Sequence, residues 1–403
     1  SKTIANAVQV ASDPATPPKV GVGIGFALDK ISNRAEASLQ DNVSLVNAGN
    51  LVLSAISDNS SETSVTTGSA GNISLSPSVA LNIVSNDTIA SIGTGGLLTV
   101  KSVDATATHK GSTTASADAT AAGGKVAVGA ALAFNFVNDT TTSTTARNIT
   151  ATDGGVSFAA FAYANSAATA KASASGTDES KDDGATDNAE KQTSDQLTAN
   201  DDTANKDKNQ DAVKGQIKTS QGNVSVAAGL ALNVVNSKAN ASLADGLTIN
   251  AAGQFKLATS NETDAAAIAD GSAVGTDKAA VKIGVGVGVA LNIVSTQNEA
   301  TIGAANVTAQ GVVLEAKASQ NLGGDGYSDF KAEATAGAGA TKVGFAGALA
   351  LNLVGTNASI AAIKSGAVVN AGNGDVSATA ESNSKSKTIA NAVQVASDPA
   401  TPP

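Results

Sequence analysis

One apolar segment recurs six times along the chain and constrains its fold more than any other feature. Each copy ends in Ala-Leu-Asn-Ile-Val or a close variant, and its Asn or Asp residue marks an equivalent position. The differences between successive marker numbers are 53, 53, 98, 59 and 60. Periods of this size are typical of repeat architectures, in which each unit packs against its neighbours. The markers are Asp29, Asn82, Asn135, Asn233, Asn292 and Asn352.

A longer period contains the shorter one. Residues Ser1 to Pro18 (SKTIANAVQVASDPATPP) recur unchanged as Ser386 to Pro403, an offset of 385 residues. The difference between Asn352 and the next equivalent of Asp29 is then 62, which closes the series at six subunits. The sequence therefore predicts one period of a tandem array, in which each copy of the duplicated segment docks against a neighbouring period.

The chain divides into nine segments. The long third spacing contains an insertion from Gly176 to Lys218, with 11 Asp and Glu against 6 Lys, which we interpret as a solvated acidic loop. The subunits are about 60 residues long, within the range of known structural repeats. The division is 1–18 closing segment of the preceding period, 19–71 subunit 1, 72–124 subunit 2, 125–175 subunit 3, 176–218 insertion, 219–278 subunit 4, 279–340 subunit 5, 341–385 subunit 6 and 386–403 start of the duplicated segment.

Large and small residues alternate within each apolar segment, which is the pattern of a β-strand. In residues 281–294 (VKIGVGVGVALNIV), the Ile, Val and Leu side chains fall on one face and the Gly and Ala residues on the other. A glycine face loses packing area, so we expect another backbone to approach it closely. We predict an assembly role, at contacts between copies, for Gly284, Gly286, Gly288 and Gly344.

Turn residues divide each subunit into three strand-rich pieces of similar length. Three such pieces match three rungs of a parallel β-helix. The prediction is therefore an all-β fold, a parallel β-helix or β-solenoid of six subunits. It would have roughly 18 rungs and rise about 85 Å per period at ~4.8 Å per strand. Because the apolar segments are long for one β-helix strand, tandem antiparallel β-sandwich-like units are the alternative.

The composition argues against several kinds of chemistry. One His and no Cys leave no histidine pair, thiolate metal site or disulfide within a period. We interpret His109 as a surface residue of the polar stretch 106–113. The net charge of −10 argues against a nucleic-acid partner, and the apolar segments are too short for a transmembrane helix. We therefore expect neither enzyme activity nor membrane insertion.

Calcium is the one cofactor for which the sequence offers candidate ligands. The stretch 323–329 (GGDGYSD) is similar to the calcium-binding nonapeptide, but its second Asp lies one place late and the motif occurs once. We interpret this stretch as a glycine loop. The acidic insertion has carboxylates without the spacing of an EF-hand. The candidate calcium ligands are Asp182, Asp183, Asp187, Asp325 and Asp329.

Three motifs carry a resemblance to a known class of proteins. They are the repeated Val-Gly-Val-Gly-x-Ala-Leu-Asn-Ile-Val, Ala-Thr-Ile-Gly at 300–303 and Val-Thr-Ala-x-Gly-x-Val at 307–313. With them, nearly the whole chain outside the insertion resembles giant filamentous adhesins of Gram-negative bacteria, the filamentous-haemagglutinin-like or leukotoxin-type exoproteins. The resemblance implies secretion and a β-helical or related all-β shaft, and it carries over no catalytic residue.

Two functional hypotheses follow. The first is a non-enzymatic tandem repeat of an extracellular bacterial filament or giant surface adhesin, with copies of itself as partners through strand edges and Gly/Ala faces. The second is an adhesive module that binds a glycan or an ion and engages cell-surface glycans or another cell. It would use the acidic insertion and Thr-rich loops such as 139–145.

Overall fold

The structure, a computed structural model of the 403-residue chain, describes residues 1–9, 18–175, 224–273, 282–318, 322–340 and 342–396. The whole acidic insertion, with Asp182, Asp183 and Asp187, therefore lies outside the described residues. The strands are β1 Lys2–Val8, β2 Val20–Val22, β3 Gly25–Leu39, β4 Asn50–Ile92, β5 Leu98–Val100, β6 Ser102–Thr145, β7 Ile149–Ala151, β8 Val156–Ser175, β9 Val224–Leu243, β10 Thr248–Ala251, β11 Phe255–Ala273, β12 Ile283–Ile302, β13 Asn306–Thr308, β14 Val312–Lys317, β15 Ser328–Ala340, β16 Val343–Ile363, β17 Val368–Asn370, β18 Val376–Ala380 and β19 Ser384–Ala396.

The fold is all-β and is dominated by one large parallel sheet. Five short strands, β5, β7, β10, β13 and β17, form a second sheet, and the other strands form the large one. The large sheet folds back on itself and is nearly closed, because β4 and β6 each run through both of its sides. Every strand pair within the described residues is parallel, so the antiparallel sandwich alternative is wrong.

Two names describe the sides of the large sheet. The front half contains the apolar segments and comprises β2, β3, residues 73–92 of β4, residues 126–145 of β6, β9, β12 and β16. The back half contains the polar pieces that follow and comprises β1, residues 50–71 of β4, residues 102–122 of β6, β8, β11, β14, β15, β18 and β19.

Each subunit contributes one front strand and the back strand or strands that follow it, a set that we call a tier. Equivalent residues of successive subunits are hydrogen-bonded neighbours, as in the pairings Asp29 with Asn82 and Asn292 with Asn352. The strand register thus repeats the spacing of the sequence markers. The prediction of three rungs per subunit is wrong, because each piece pairs with its equivalent in the next subunit and not with the next piece of its own. Six tiers at ~4.8 Å span about 29 Å, and the predicted rise of about 85 Å is too large.

The space between the two halves changes in character along the strands. Near the start of the front strands, the facing residues are Gly, Ala and Ser, and a cluster of buried alanines from both halves fills a thin interior. Near the end of the front strands, the short strands close a wider space that holds large side chains such as Ile92, Ile149 and Phe158. Small residues are needed where the two halves lie close together. Large residues are needed where the second sheet of short strands widens the interior.

Candidate assembly interface

The six markers of the sequence form one column of side chains inside the molecule. Asn135 Nδ2 donates to Asn233 Oδ1 at 3.2 Å, and Asn233 Nδ2 donates to Asn292 Oδ1 at 3.1 Å. Asn292 Nδ2 continues to Asn352 Oδ1 at 3.0 Å. Asp29 occupies the first tier and accepts from Ser61 Oγ at 3.2 Å. From Asn135 to Asn352, this asparagine ladder connects four tiers through a side chain that both donates and accepts. It is interrupted between the second and third tiers, where Asn82 Nδ2 and Asn135 Oδ1 have no hydrogen-bond partner.

A second polar column runs four residues further along the front strands. Asn33 Nδ2 donates to Asn86 Oδ1 at 2.8 Å, and Asn86 Nδ2 donates to Asp139 Oδ1 at 2.7 Å. His109, from the back half, places Nε2 3.4 Å from Asp139 Oδ2, with both side chains 1% exposed. The interpretation of His109 as a surface residue is therefore wrong. His109 and Asp139 contact each other in an enclosed space beside Gly111. A side chain at Gly111 would enter this space, because its Cβ would lie 2.9 Å from His109 Nε2.

The predicted assembly glycines face the interior of their own chain. A Cβ on Gly286 would overlap the carbonyl oxygens of Gly337 and Gly271, and one on Gly284 would lie 2.7 Å from that of Gly339. Gly288 likewise meets Thr335 of the back half, and Gly344 meets the side chain of Gln394. A backbone does approach these glycines, but it is the back half of the same chain. The Gly/Ala face is thus an internal contact and not a surface between copies.

The Thr-rich stretch 139–145 is not a loop, as the binding hypothesis assumed. It lies within β6, and its residues are alternately buried and half-buried. Thr141 and Ser143 point inward, where Ser143 Oγ donates to the carbonyl of Ala105 at 2.7 Å. The hydroxyl groups that remain outside are those of Thr140, Thr142 and Thr144, on a flat strand.

The two copies of the duplicated segment lie in the same column at opposite ends of the stack. Lys2 lies next to the first tier and pairs with Glu62 of that tier. Lys387 lies in the sixth tier and pairs with Lys331 of the fifth. Following the register from Glu62 through the back half leads, tier by tier, to Lys387. Each lysine also forms an ion pair of 3.0 Å, with Glu62 at one end and Glu333 at the other.

The front half turns its large apolar side chains outward. We define the front apolar face as the outward side chains of residues 20–30, 73–83, 126–136, 224–234, 283–293 and 343–353. In the middle tiers, neighbours above and below half-bury them, whereas at the ends Phe26 is 60% exposed and Phe345 58%. The outward side of the back half is mainly Ser, Thr and charged residues, such as Thr114, Asp118 and Lys171.

The glycine loop 323–329 packs on a carboxylate of the neighbouring tier. The amides of Asp325 and Gly326 donate to the two oxygens of Glu262 at 2.8 and 3.0 Å. Glu262 is fully buried, and burial raises its pKa despite these bonds. Gly323 and Gly326 adopt the left-handed φ values of 102° and 83° that this turn requires.

The calcium candidates of this loop are engaged by a lysine. Lys385 Nζ lies 2.8 Å from Asp325 Oδ2 and 3.7 Å from Asp329 Oδ1, and 4.0 Å from the centre of the Tyr327 ring. The hydrogen bond from Lys385 lowers the pKa of Asp325. Among the residues that the structure describes, no three His, Cys, Asp or Glu side chains are grouped so as to hold a metal ion.

Comparison with known proteins identifies no matching family model, no similar curated protein and no similar solved structure. Within the described ranges, no helix is long and apolar enough to cross a membrane.

Two features of the interface were missed at the level of sequence: the inward position of the Gly/Ala face and the outward position of the large apolar residues. The polar composition of the back strands was the available signal, since those strands must cover one face of the front half.

Proposed function

We propose that the chain is one structural period of a longer β-solenoid with one subunit per turn, which serves as the shaft of an extracellular bacterial filament or giant surface adhesin. It acts mechanically and not as an enzyme. Successive periods continue the same parallel sheet, so the partner of each period is another copy of itself. Stability would then accumulate through contacts between neighbouring tiers, as in other repeat proteins.

The observation that carries this proposal is the common column of the two identical segments. Lys2 and Lys387 are equivalent residues, and six tiers separate them in the register of the back half. One sequence period therefore corresponds to a whole number of tiers. Another period can follow without a shift of register, because the segment that ends one stack is the segment that begins the next.

The polar groups at the two ends support such a junction. The shared lysine would contact Glu333 of one period, as Lys387 does, and Glu62 of the next, as Lys2 does. The asparagine ladder donates toward higher tiers, so Asn352 would meet the acceptor-only carboxylate of the next Asp29. Exposed ion pairs contribute little energy, so their value at the junction is to fix the register.

A chain of two periods that share one copy of the duplicated segment tests the proposal. We expect small-angle X-ray scattering to show one rigid rod, longer than the single period by about 29 Å, the rise of six tiers. The control replaces the shared segment by a Gly/Ser linker of equal length, which removes a back strand and should give two bodies at variable separation. Identical scattering from the two chains would overturn the proposal, as would an increment of about 85 Å, the rise of 18 rungs.

A further inference from the structure

The front apolar face is larger than a soluble protein surface usually leaves open. It is about 11 residues long and six strands high, which is about 36 Å by 29 Å, or close to 1,000 Å². The largest apolar patch on a typical monomer is about 300–600 Å². The columns are apolar across all six tiers, as in Phe26, Val79, Leu132, Leu230, Val289 and Leu349. Lys30 is an exception at the border of the first tier.

No other segment of the chain has the side chains to cover this face. The longest stretch outside the described residues, 176–223, carries Leu197, Val213 and Ile217 as its only large apolar residues. The back half is already packed against the inner side of the front strands. These 403 residues therefore supply no cover for the face, and we look for one outside them.

We propose that the front apolar face is an interface between two copies of this chain, packed face to face. A stable interface buries about 800 Å² on each partner, which this face provides. Sheets pack closely when their outward side chains interdigitate at a spacing of ~10 Å, and a flat array of Val, Leu, Ile and Phe suits that arrangement. Backbone groups inside the front half are paired within the sheet, so covering the face leaves few of them without partners.

Charged residues at one border favour a single orientation of the pair. Lys19, Lys125, Lys282 and Lys342 directly precede the apolar segments. A two-fold axis along the strands would place these lysines against the lysines of the second copy. An axis along the direction of stacking places them against the polar ends of the opposite segments. There the cations Arg34 and Lys238 are paired with Glu36 and Glu299, and Asp87 adds a further negative charge, so this orientation avoids a border of lysines alone.

The chemistry of the chain favours a second copy over a lipid surface. Proteins that lie on membranes combine an apolar face with a basic polar face and interfacial Trp. This chain has no Trp and a net charge of −10.

The test is the mass of the full chain in solution, measured by size-exclusion chromatography with light scattering. We expect the wild type to have the mass of two chains, and the double variant Leu132→Glu, Leu230→Glu to have the mass of one. The matched control is Ala167→Glu, Ala266→Glu, which adds the same charges to adjacent strands of the back half, on its outward side, and should stay dimeric. Circular dichroism establishes that each variant is folded.

Two results would overturn the proposal. One is a folded double variant that remains dimeric. The other is a monomeric wild type, and if that monomer sediments with phosphatidylcholine vesicles while the double variant does not, the face is assigned to lipid. Failure of end-to-end stacking is a separate result, because stacking gives open-ended rods whereas this contact closes at two chains.

Discussion

At the scale of single residues, the asparagine ladder couples neighbouring tiers through side chains in addition to the backbone pairing of their strands. An amide both donates and accepts, so the same residue can be repeated in successive tiers with each side chain hydrogen-bonded to the next, as from Asn135 to Asn352. Asn233 shows this most fully: its Oδ1 accepts from Asn135 and from Ser166, and its Nδ2 donates to Asn292. Loss of the Asn233 side chain would therefore remove hydrogen-bond partners from Asn135, Ser166 and Asn292 together.

Asn233→Ala should therefore destabilise the chain by about 2–3 kcal/mol, because it leaves several buried polar groups without partners. The matched variant is Asn352→Ala in the same column, where the side chain is only partly buried in the last tier. That change should cost less than about 1 kcal/mol. Urea unfolding followed by circular dichroism measures both, and equal losses would contradict a cooperative ladder.

Asp264 should make stability depend on pH. Burial raises the pKa of Asp264 to about 6, against about 3.9 in an unfolded chain. The folded chain then binds more protons between these values, so the contribution of Asp264 is fully present below about pH 4 and is lost as the pH rises through 6. Asp264→Asn keeps an acceptor for the Asp329 amide, which donates at 3.0 Å. The variant should gain stability relative to the wild type from pH 4 to 7, measured as urea midpoints. A constant difference between the two curves would refute this assignment.

The sequence located the residues of the ladder as markers of the period, but it did not predict their hydrogen bonds or the burial of His109. The markers were identified because one Asn recurs in an apolar segment, and a buried, hydrogen-bonded column is the physical reason for that recurrence. His109 was misplaced because Ser and Thr fill both faces of its strand. The signal that was available is parity: Val103, Ala105 and Ala107 share the inward face with His109.

At the scale of strands, the close approach of the two halves depends on glycine. The test is Gly286→Ala, whose added Cβ overlaps backbone oxygens of Gly337 and Gly271 that cannot move independently. We expect a loss of about 1–3 kcal/mol from overpacking. Gly96→Ala is the control, because no atom lies within 4 Å of its added Cβ. It should change the urea midpoint by less than about 0.5 kcal/mol in equivalent free energy. Similar effects of the two substitutions would show that the halves are not in close contact.

The strands also show why the sequence predicted three rungs per subunit, whereas each subunit forms a single tier of the parallel sheet. Alternation in 281–294 correctly indicates a strand and a close neighbour on the glycine side, but it does not identify that neighbour. The choice depends on the back strands, whose Ala residues, such as Ala332 and Ala334, complete the thin interior. The period of the subunits is compatible with either arrangement until the register of equivalent residues is known.

At the scale of the whole molecule, the acidic insertion is placed where the stack does not need it. The strands before and after it, β6 with β9 and β8 with β11, pair as directly as those of other tiers. Deleting 176–218 would leave five residues between Ser175 and Val224, and the neighbouring tiers make the same connection with two to nine. We expect the deletion chain to keep the circular dichroism and urea midpoint of the wild type. Loss of folding would show that the stack of tiers depends on the insertion.

The duplicated segment makes a further prediction about assembly. A chain that carries both copies cannot stack in register on another, because both copies claim the same column between Glu333 and the next Glu62. Removing residues 1–18 leaves one copy and an open first tier, which the sixth tier of another chain can complete. The truncated chain should therefore form rods in electron micrographs with an axial repeat of about 29 Å.

Removing 386–403 instead should also give rods, since either copy can fill the shared position. A chain that lacks both copies should form no rods, because the junction then misses a back strand. If it polymerises as readily as the single truncations, the exposed strand edges alone drive association and the segment does not set the register.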